Sequence, residues 1–442
     1  MLTSLSDWLS YLESLHPKTI ELGLERVARV KQRLNLQAEF PIIIVGGTNG
    51  KGSVCAMLES MLHAAGYRVG CYTSPHILEY NERVRMGKKQ ASDAQLCAAF
   101  AEIEQARKGV SQSAVLAPGD EKNPSTDLDE ISLTYFEFAT LSAMLLFIND
   151  NVDVAILEVG LGGRLDAVNV FDADCAVVTS IDIDHTDYLG DTREQIAFEK
   201  AGIFRTGKVA VFGDADMPAA IRIQAEKIGA KLWCIGHEFA YTAQQGQWDY
   251  RSSVGTRSAL PFPALRGAYQ LNNASAALAV LDALKERFPV SMEALRRGLL
   301  EVTLPARFQM VPGKPTLILD VAHNPHAAHS LAANLAALPP CQKTYAVLAM
   351  LKDKDMAGVV AALKKQVDVW LVAGINAPRG ASAEELGPIV ENARAGEVLR
   401  FNTVSEAVNY AYSQAGENDR IAALGSFYTV AEVMRVRSLH CI

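Results

Sequence analysis

Gly47-Thr48-Asn49-Gly50-Lys51-Gly52-Ser53 stands between a short β-branched run, Ile42 to Val45, and a helical repeat of apolar residues. That repeat is Val54, Met57, Leu58, Met61, Leu62 and Ala65, and Gly66 stops it. A strand, a glycine-rich loop and a helix together form the setting in which backbone N–H groups turn toward phosphate, aided by the helix dipole. Lys51 is expected to reach a nucleotide's terminal phosphates, and the Ser53 hydroxyl to ligate Mg²⁺. The spacing departs from the ordinary Walker pattern, because Gly47 lies only three residues before Gly50 and Gly52 separates the lysine from the serine.

Outward from this loop the chain alternates strand and helix patterns, the mark of an α/β sheet with crossover helices. Further buried strands are expected at Val152 to Val159, Cys175 to Ile181 and Val209 to Phe212. Gly109 to Asp129, rich in Ser, Pro, Gly, Asp and Lys and without periodicity, reads as an exposed, mobile loop insertion. A second alternation brings strands at Thr316–Leu319, Thr344–Met350, Asp368–Ala373 and Ile421–Leu424. The 442 residues therefore divide into an N-terminal P-loop ATPase-type domain, 1–304, and a C-terminal Rossmann-like domain, 308–442. Leu304-Pro305-Ala306-Arg307 marks the boundary.

A net charge of −8 argues against a nucleic-acid partner. The seven cysteines form no C-x-x-C pair and fall mostly in apolar runs, as buried reduced thiols do. No apolar stretch is long enough to span a bilayer, and no signal peptide precedes Trp8, so a cytoplasmic protein with no membrane partner is expected.

Glu158 ends a buried strand, and His185 follows the next one in the same way. Functional side chains of α/β sheets gather at such carboxyl ends, and a buried carboxylate needs a partner or a metal. Gly160-Leu161-Gly162-Gly163 lacks the third glycine of a dinucleotide fingerprint, since Leu165 stands there. Lys200 in a helical segment would ordinarily be a solvated surface lysine. His323, His326 and His329 have a metal-like spacing, but Asn324-Pro325 sets a turn inside it.

The loop's G-T-N-G-K-G-S wording resembles the phosphate loop of the Mur ligase superfamily, and within it the folylpolyglutamate synthase and dihydrofolate synthase branch. The resemblance runs along almost the whole chain. It takes in Thr73-Ser74-Pro75-His76, Asn81-Glu82-Arg83-Val84, Tyr135-Phe136-Glu137, Glu158 to Asp166, Asp184-His185, Glu199-Lys200-Ala201-Gly202, Pro305-Ala306-Arg307 and Asp320 to His326.

The resemblance implies an ATP-dependent ligase. It would add L-glutamate to dihydropteroate, giving dihydrofolate, and to tetrahydrofolate polyglutamates, by way of an acyl phosphate. Thr48, Asn49, Gly50, Lys51, Gly52, Ser53, Asn273, Arg307 and Asp320 would bind ATP. Ser53, Ser74, Glu158 and His185 would surround one or two Mg²⁺ ions, and Lys200 would be carbamylated. Lys51, Lys200 and His323 would be the catalytic group. Glu21, Leu22, Gly23, Leu24, Thr134, Tyr135, Phe136, Glu137, Leu165, Asp166, Ala167 and Ser426 would contact the substrates. Relatives commonly carry glycine where this chain has Ala306. A monomer is implied. The competing readings are a single-function folylpolyglutamate synthase, another Mur-type amino-acid ligase, and a non-catalytic P-loop switch. A guanine-binding switch would need N-K-x-D, which does not occur.

Overall fold

A computed structural model describes residues 2–18, 20–109, 129–267 and 269–440. The expected loop insertion lies, apart from its two end residues, outside the described residues.

The first sheet contains β1 (Ile42–Gly46), β2 (Val69–Tyr72), β3 (Val84–Met86), β4 (Lys89–Gln90), β5 (Val154–Glu158), β6 (Cys175–Val178), β7 (Val209–Phe212) and β8 (Lys231–Cys234). Their order across the sheet is β4-β3-β2-β5-β1-β6-β7-β8, parallel from β2 to β8 with β3 and β4 antiparallel at one edge. All five residues of β1 are buried, because a parallel sheet is covered on both faces. Ile42 and Ile44 enter one core with Leu157 and Phe138. Ile43 and Val45 enter the other, against Met57, Leu58 and Met61 of the helix Lys51–Ala64. The register pairs Val45 with Glu158, so the phosphate loop and that carboxylate leave the sheet side by side.

A three-stranded antiparallel sheet follows, made of β9 (Phe239–Ala243), β10 (Trp248–Ser252) and β11 (Gly255–Leu260). It is anchored by Asp282 of the helix Gln270–Ala283, which accepts from the Tyr250 hydroxyl at 3.0 Å, the Ser252 hydroxyl at 2.6 Å and the Arg257 guanidinium. This sheet is absent from the sequence expectations. Its inward residues Phe239, Trp248 and Tyr250 are too few for the alternation to stand out.

The second large sheet contains β12 (Gln309–Val311), β13 (Thr316–Leu319), β14 (Thr344–Leu348), β15 (Val369–Ala373), β16 (Glu397–Phe401) and β17 (Arg420–Leu424). Its order is β12-β13-β17-β14-β15-β16, parallel except for β12. It has a core on each face. Half-buried Ile77 and Leu78, from the loop after β2, pack against one of these cores and tie the two parts of the chain together.

Between the two sheets Ala306 is fully buried with φ +59°, in the left-handed region. An alanine Cβ crowds the backbone there, which glycine avoids. Ala306→Gly should therefore stabilise the protein by about 0.5–1 kcal/mol. Urea denaturation checks this, and a lower midpoint for the variant would refute it.

Candidate active site

The carboxyl ends of β1, β5 and β6 face those of β13, β14 and β17 across one cleft, where open α/β sheets place their ligands. Gly50 enters the helix at φ +90°, and an added Cβ would sit 2.6 Å from Asn273 Oδ1, so only glycine fits. The loop is braced from β6: the Thr48 N–H donates to the Ser180 carbonyl at 2.8 Å, and the Thr179 hydroxyl to the Asn49 carbonyl at 2.6 Å. Asn273 donates to Gln270 at 3.1 Å, and Gln270 to the Ser53 hydroxyl at 3.4 Å, which brings the expected nucleotide asparagine onto the loop.

Two lysines converge on one carbonyl. Lys51 Nζ lies 3.1 Å and Lys200 Nζ 3.0 Å from Gly47 O. Lys200 is only 4 % exposed, so the solvated surface lysine is not what the fold makes. Burial, and then Lys51, push its amine down to about 7. Near neutral pH the amine is therefore poised between its charged and uncharged forms.

Glu158 is 5 % exposed and accepts the Ser74 N–H at 3.1 Å. Burial raises its carboxyl, while Lys51 and the Ser74 N–H oppose the rise. His185 sits at φ +53° after β6, and burial lowers its ring to about 4, leaving a neutral imidazole. Among the described residues no three His, Cys, Asp or Glu side chains make a metal cage. The His323/His326/His329 spacing makes none either: His326 Nδ1 meets Asn49 Nδ2 at 2.9 Å, and His329 Nδ1 meets its own helix at Pro325 O.

From the second sheet, Asp320 accepts the Phe308 and Ala322 N–H groups at 2.9 and 2.8 Å beside Arg307. Arg307 lies over the Phe427 ring, 5.1 Å from its centroid, and its Nη1 is buried without a hydrogen-bond partner. An unsatisfied buried guanidinium N–H is costly, and an anion in the cleft would satisfy it. His323 Nδ1 meets Val321 O at 2.8 Å. A carbonyl only accepts, so Nδ1 carries the proton. Burial, and then Lys354, lower the ring to about 4, leaving Nε2 unprotonated 3.9 Å from Asp184 Oδ2.

Three residues outside the expected set join the two sides. Asp184 accepts from Lys354 Nζ at 2.7 Å and from Asn324 Nδ2 at 3.2 Å, and Asn324 also donates to Asn49 Oδ1 at 3.2 Å. Burial works against the charge on Asp184, but His185, a cation in the acid range where this carboxyl titrates, and Lys354 outweigh it and hold the carboxyl well below the usual range. The sequence signal for Lys354 was the charged run Lys352-Asp353-Lys354-Asp355 just past the carboxyl end of β14.

Most of the expected acceptor residues lie together past the carboxyl end of β5, while Ser426 belongs to the second half. Gly23 N–H donates to Leu165 O at 3.2 Å, which brings Glu21–Leu24 to the Leu165-Asp166-Ala167 turn. Buried Asp166 accepts the Leu161 and Val168 N–H groups at 2.8 and 3.1 Å, and burial raises its carboxyl to about 7. Thr134 caps the helix Tyr135–Asn149 and exchanges hydrogen bonds with Glu137. Tyr135 and Phe136 are half-buried, Tyr135 under the Arg83 guanidinium and Phe136 beside Tyr72. Buried Ser426 caps the helix Phe427–Val436, accepting the Thr429 N–H at 3.0 Å, and it is Phe427 that lines the cleft.

Comparison with known proteins matches the Mur ligase middle domain to residues 45–281 and the Mur ligase glutamate ligase domain to residues 306–427. An Escherichia coli dihydrofolate synthase/folylpolyglutamate synthase is 47% identical over 98% of this chain and 95% of its own length. The solved structure of E. coli FolC in complex with DHPP and ADP superposes with a TM-score of 0.89 at 46% identity, covering 99% of this chain and 98% of that one. A bifunctional folylpolyglutamate synthase/dihydrofolate synthase with Mn, AMPPNP and L-glutamate bound gives 0.87 at 45% identity, again covering 99% and 98%. With its phosphate loop, its facing sheets and this likeness along nearly its full length, the chain belongs to the Mur ligase family, in the dihydrofolate synthase/folylpolyglutamate synthase branch.

Proposed function

We propose that the protein adds L-glutamate to dihydropteroate and to tetrahydrofolate polyglutamates, using ATP and an acyl phosphate. The observation that carries this is the convergence in one cleft of the phosphate loop, Glu158 and His185 from one side with Arg307 and His323 from the other. A carboxylate is a poor acyl donor because oxide would have to leave. An acceptor carboxylate oxygen attacks the γ-phosphorus and the bond to ADP breaks. The glutamate amine, as its free base, then attacks the acyl carbon, phosphate leaves with the former carboxylate oxygen, and the nitrogen's surplus proton goes to the departing phosphate. Lys51 and the unpartnered Arg307 N–H bind charge on the transferring phosphoryl group. His323 Nε2, held unprotonated, accepts a hydrogen bond from the incoming amine and aims it. Closure of the two sides excludes water from the acyl phosphate.

Glu158, His185 and the hydroxyls of Ser53 and Ser74 would hold Mg²⁺. A sparse, oxygen-rich set suits an ion that keeps several waters. Bound there, the ion supplies neutralisation of phosphate charge. Lys200 is the carbamylation site: its neutral amine attacks CO₂, an N–C bond forms, a proton leaves, and an anion replaces the ammonium. On the same reading residues 1–304 bind ATP and the folate and residues 308–442 form the glutamate-ligase unit, with their separate cores in support. The free cysteines among the described residues fit a cytoplasmic protein, which this reading takes as a monomer.

Phosphate release that depends on both dihydropteroate and L-glutamate tests the function. Gly23, at φ +154°, has nothing within 4 Å of an added Cβ, so a side chain there meets no neighbour but strains the backbone beside the Leu165 turn. Gly23→Val should raise the KM for dihydropteroate by about tenfold, on the scale of a pocket misfit, and affect polyglutamate extension less. Wild-type enzyme that extends tetrahydrofolate but adds nothing to dihydropteroate would leave a single-function synthase.

A further inference from the structure

We infer that Arg26 is the positioning residue for the folate-type acceptor, holding the segment Glu21–Leu24 in register with the wall formed by Tyr135 and Phe136. Its guanidinium bridges two elements far apart in sequence. Nη2 donates to Glu137 Oε1 at 3.0 Å and to the Glu21 carbonyl at 3.0 Å, and Nε lies 3.4 Å from Glu137 Oε2. Nη1 is 3.5 Å from the Glu21 carboxylate.

Several features set this apart from an ordinary surface ion pair. Arg26 stands in the first turn of the helix Glu25–Arg33, where the dipole disfavours a cation, and that helix has no side-chain cap. Its carboxylate partner is buried, with a side chain only 4 % exposed, and already accepts the Thr134 N–H at 2.7 Å. The residues of Glu21–Leu24 are all only half-buried, so apolar packing alone does not fix the segment. At one end Arg26 ties the Glu21 carbonyl to the helix Tyr135–Asn149, while His16 and Lys18 hold the Glu21 carboxylate only to the segment just before it; the Gly23–Leu165 hydrogen bond ties the middle. A planar guanidinium donates in fixed directions, so it sets the distance between the segment and the helix Tyr135–Asn149 in a way a single ammonium cannot.

This inference rests on the acceptor site proposed above. The test is steady-state kinetics of the full-length enzyme with Arg26→Met and Arg26→Lys, varying dihydropteroate, ATP and L-glutamate in turn. Arg26→Met should raise the KM for dihydropteroate about tenfold, on the scale of one lost charge-assisted hydrogen bond. The kcat at saturating acceptor should change far less, and the KM values for ATP and L-glutamate should stay put. Arg26→Lys should fall between, and it carries the test if Arg26→Met does not fold. An unchanged dihydropteroate KM in a folded variant overturns the inference, as does an equal rise in the KM for ATP. Wild-type enzyme that does not use dihydropteroate would instead fail the functional reading, and the KM for tetrahydrofolate then decides the role of Arg26.

Discussion

Glu158→Ala is expected to fold with near wild-type melting behaviour and to lose turnover by about 10²–10³-fold or more, the scale for removing one preorganised electrostatic group. The fold survives because Glu158 is no structural keystone. Its one close protein hydrogen bond is to the Ser74 N–H, and burial already works against its charge. Removing a poorly compensated buried carboxylate costs little stability. Turnover does not survive, because Glu158 leaves the sheet side by side with the phosphate loop, where β5 pairs with β1. Glu158→Gln keeps the shape and the acceptor oxygen but not the charge, and should be equally inactive. Phosphate-release rates across a Mg²⁺ titration measure this. Near-normal rates at saturating Mg²⁺ would remove Glu158 from the metal site.

Lys200→Ala should be the next most damaged variant, by about 10²-fold, if a carbamate anion there supports phosphoryl transfer. A short carboxylic acid added to the assay should restore part of the rate, because it returns an anion to the vacated space. A fully active Lys200→Ala enzyme would defeat the assignment. Stability gives a second readout with the opposite sign. The folded-state amine is depressed to about 7 from an ordinary 10.5. Holding the ammonium therefore costs stability in full below pH 7, and that cost disappears as pH rises toward 10.5. Lys200→Met, which keeps the volume, should melt higher than unmodified wild type at and below neutral pH, with the gap closing in alkali.

Eight strands of the two large sheets were legible because they are continuous apolar runs, whereas β2, β3, β4, β8, β12 and β16 were not expected. Val209–Phe212 and Thr316–Leu319 appear with the expected bounds, and the others of the eight differ by a few residues at their ends. The phosphate loop was legible because strand, glycines and helix lie together in sequence. What joins distant residues was not. Lys200 looks solvated in its own helix, and only the fold carries it to Gly47, 153 positions away. The Lys354–Asp184 pair spans 170 positions, and Arg26–Glu137 spans 111. No local periodicity encodes such pairings. The small sheet of β9 to β11 escaped because its strands bury one face only, so no continuous apolar run marks them.

The seam between the two halves is unevenly made, and this gives the catalytic cycle a direction of movement. On one side Ile77 and Leu78 bury apolar surface in the second half, which costs about 25 cal/mol for every Å² exposed to water. On the other side the joins are Asp184 with Lys354 and Asn324, and Asn49 with Asn324 and His326. Water can replace each of those partners when they separate, so parting them exchanges one hydration shell for another. The cheapest excursion therefore pivots on the greasy side and gapes on the polar one. A gape there would widen the cleft lined by the phosphate loop and Arg307 while the halves stay attached.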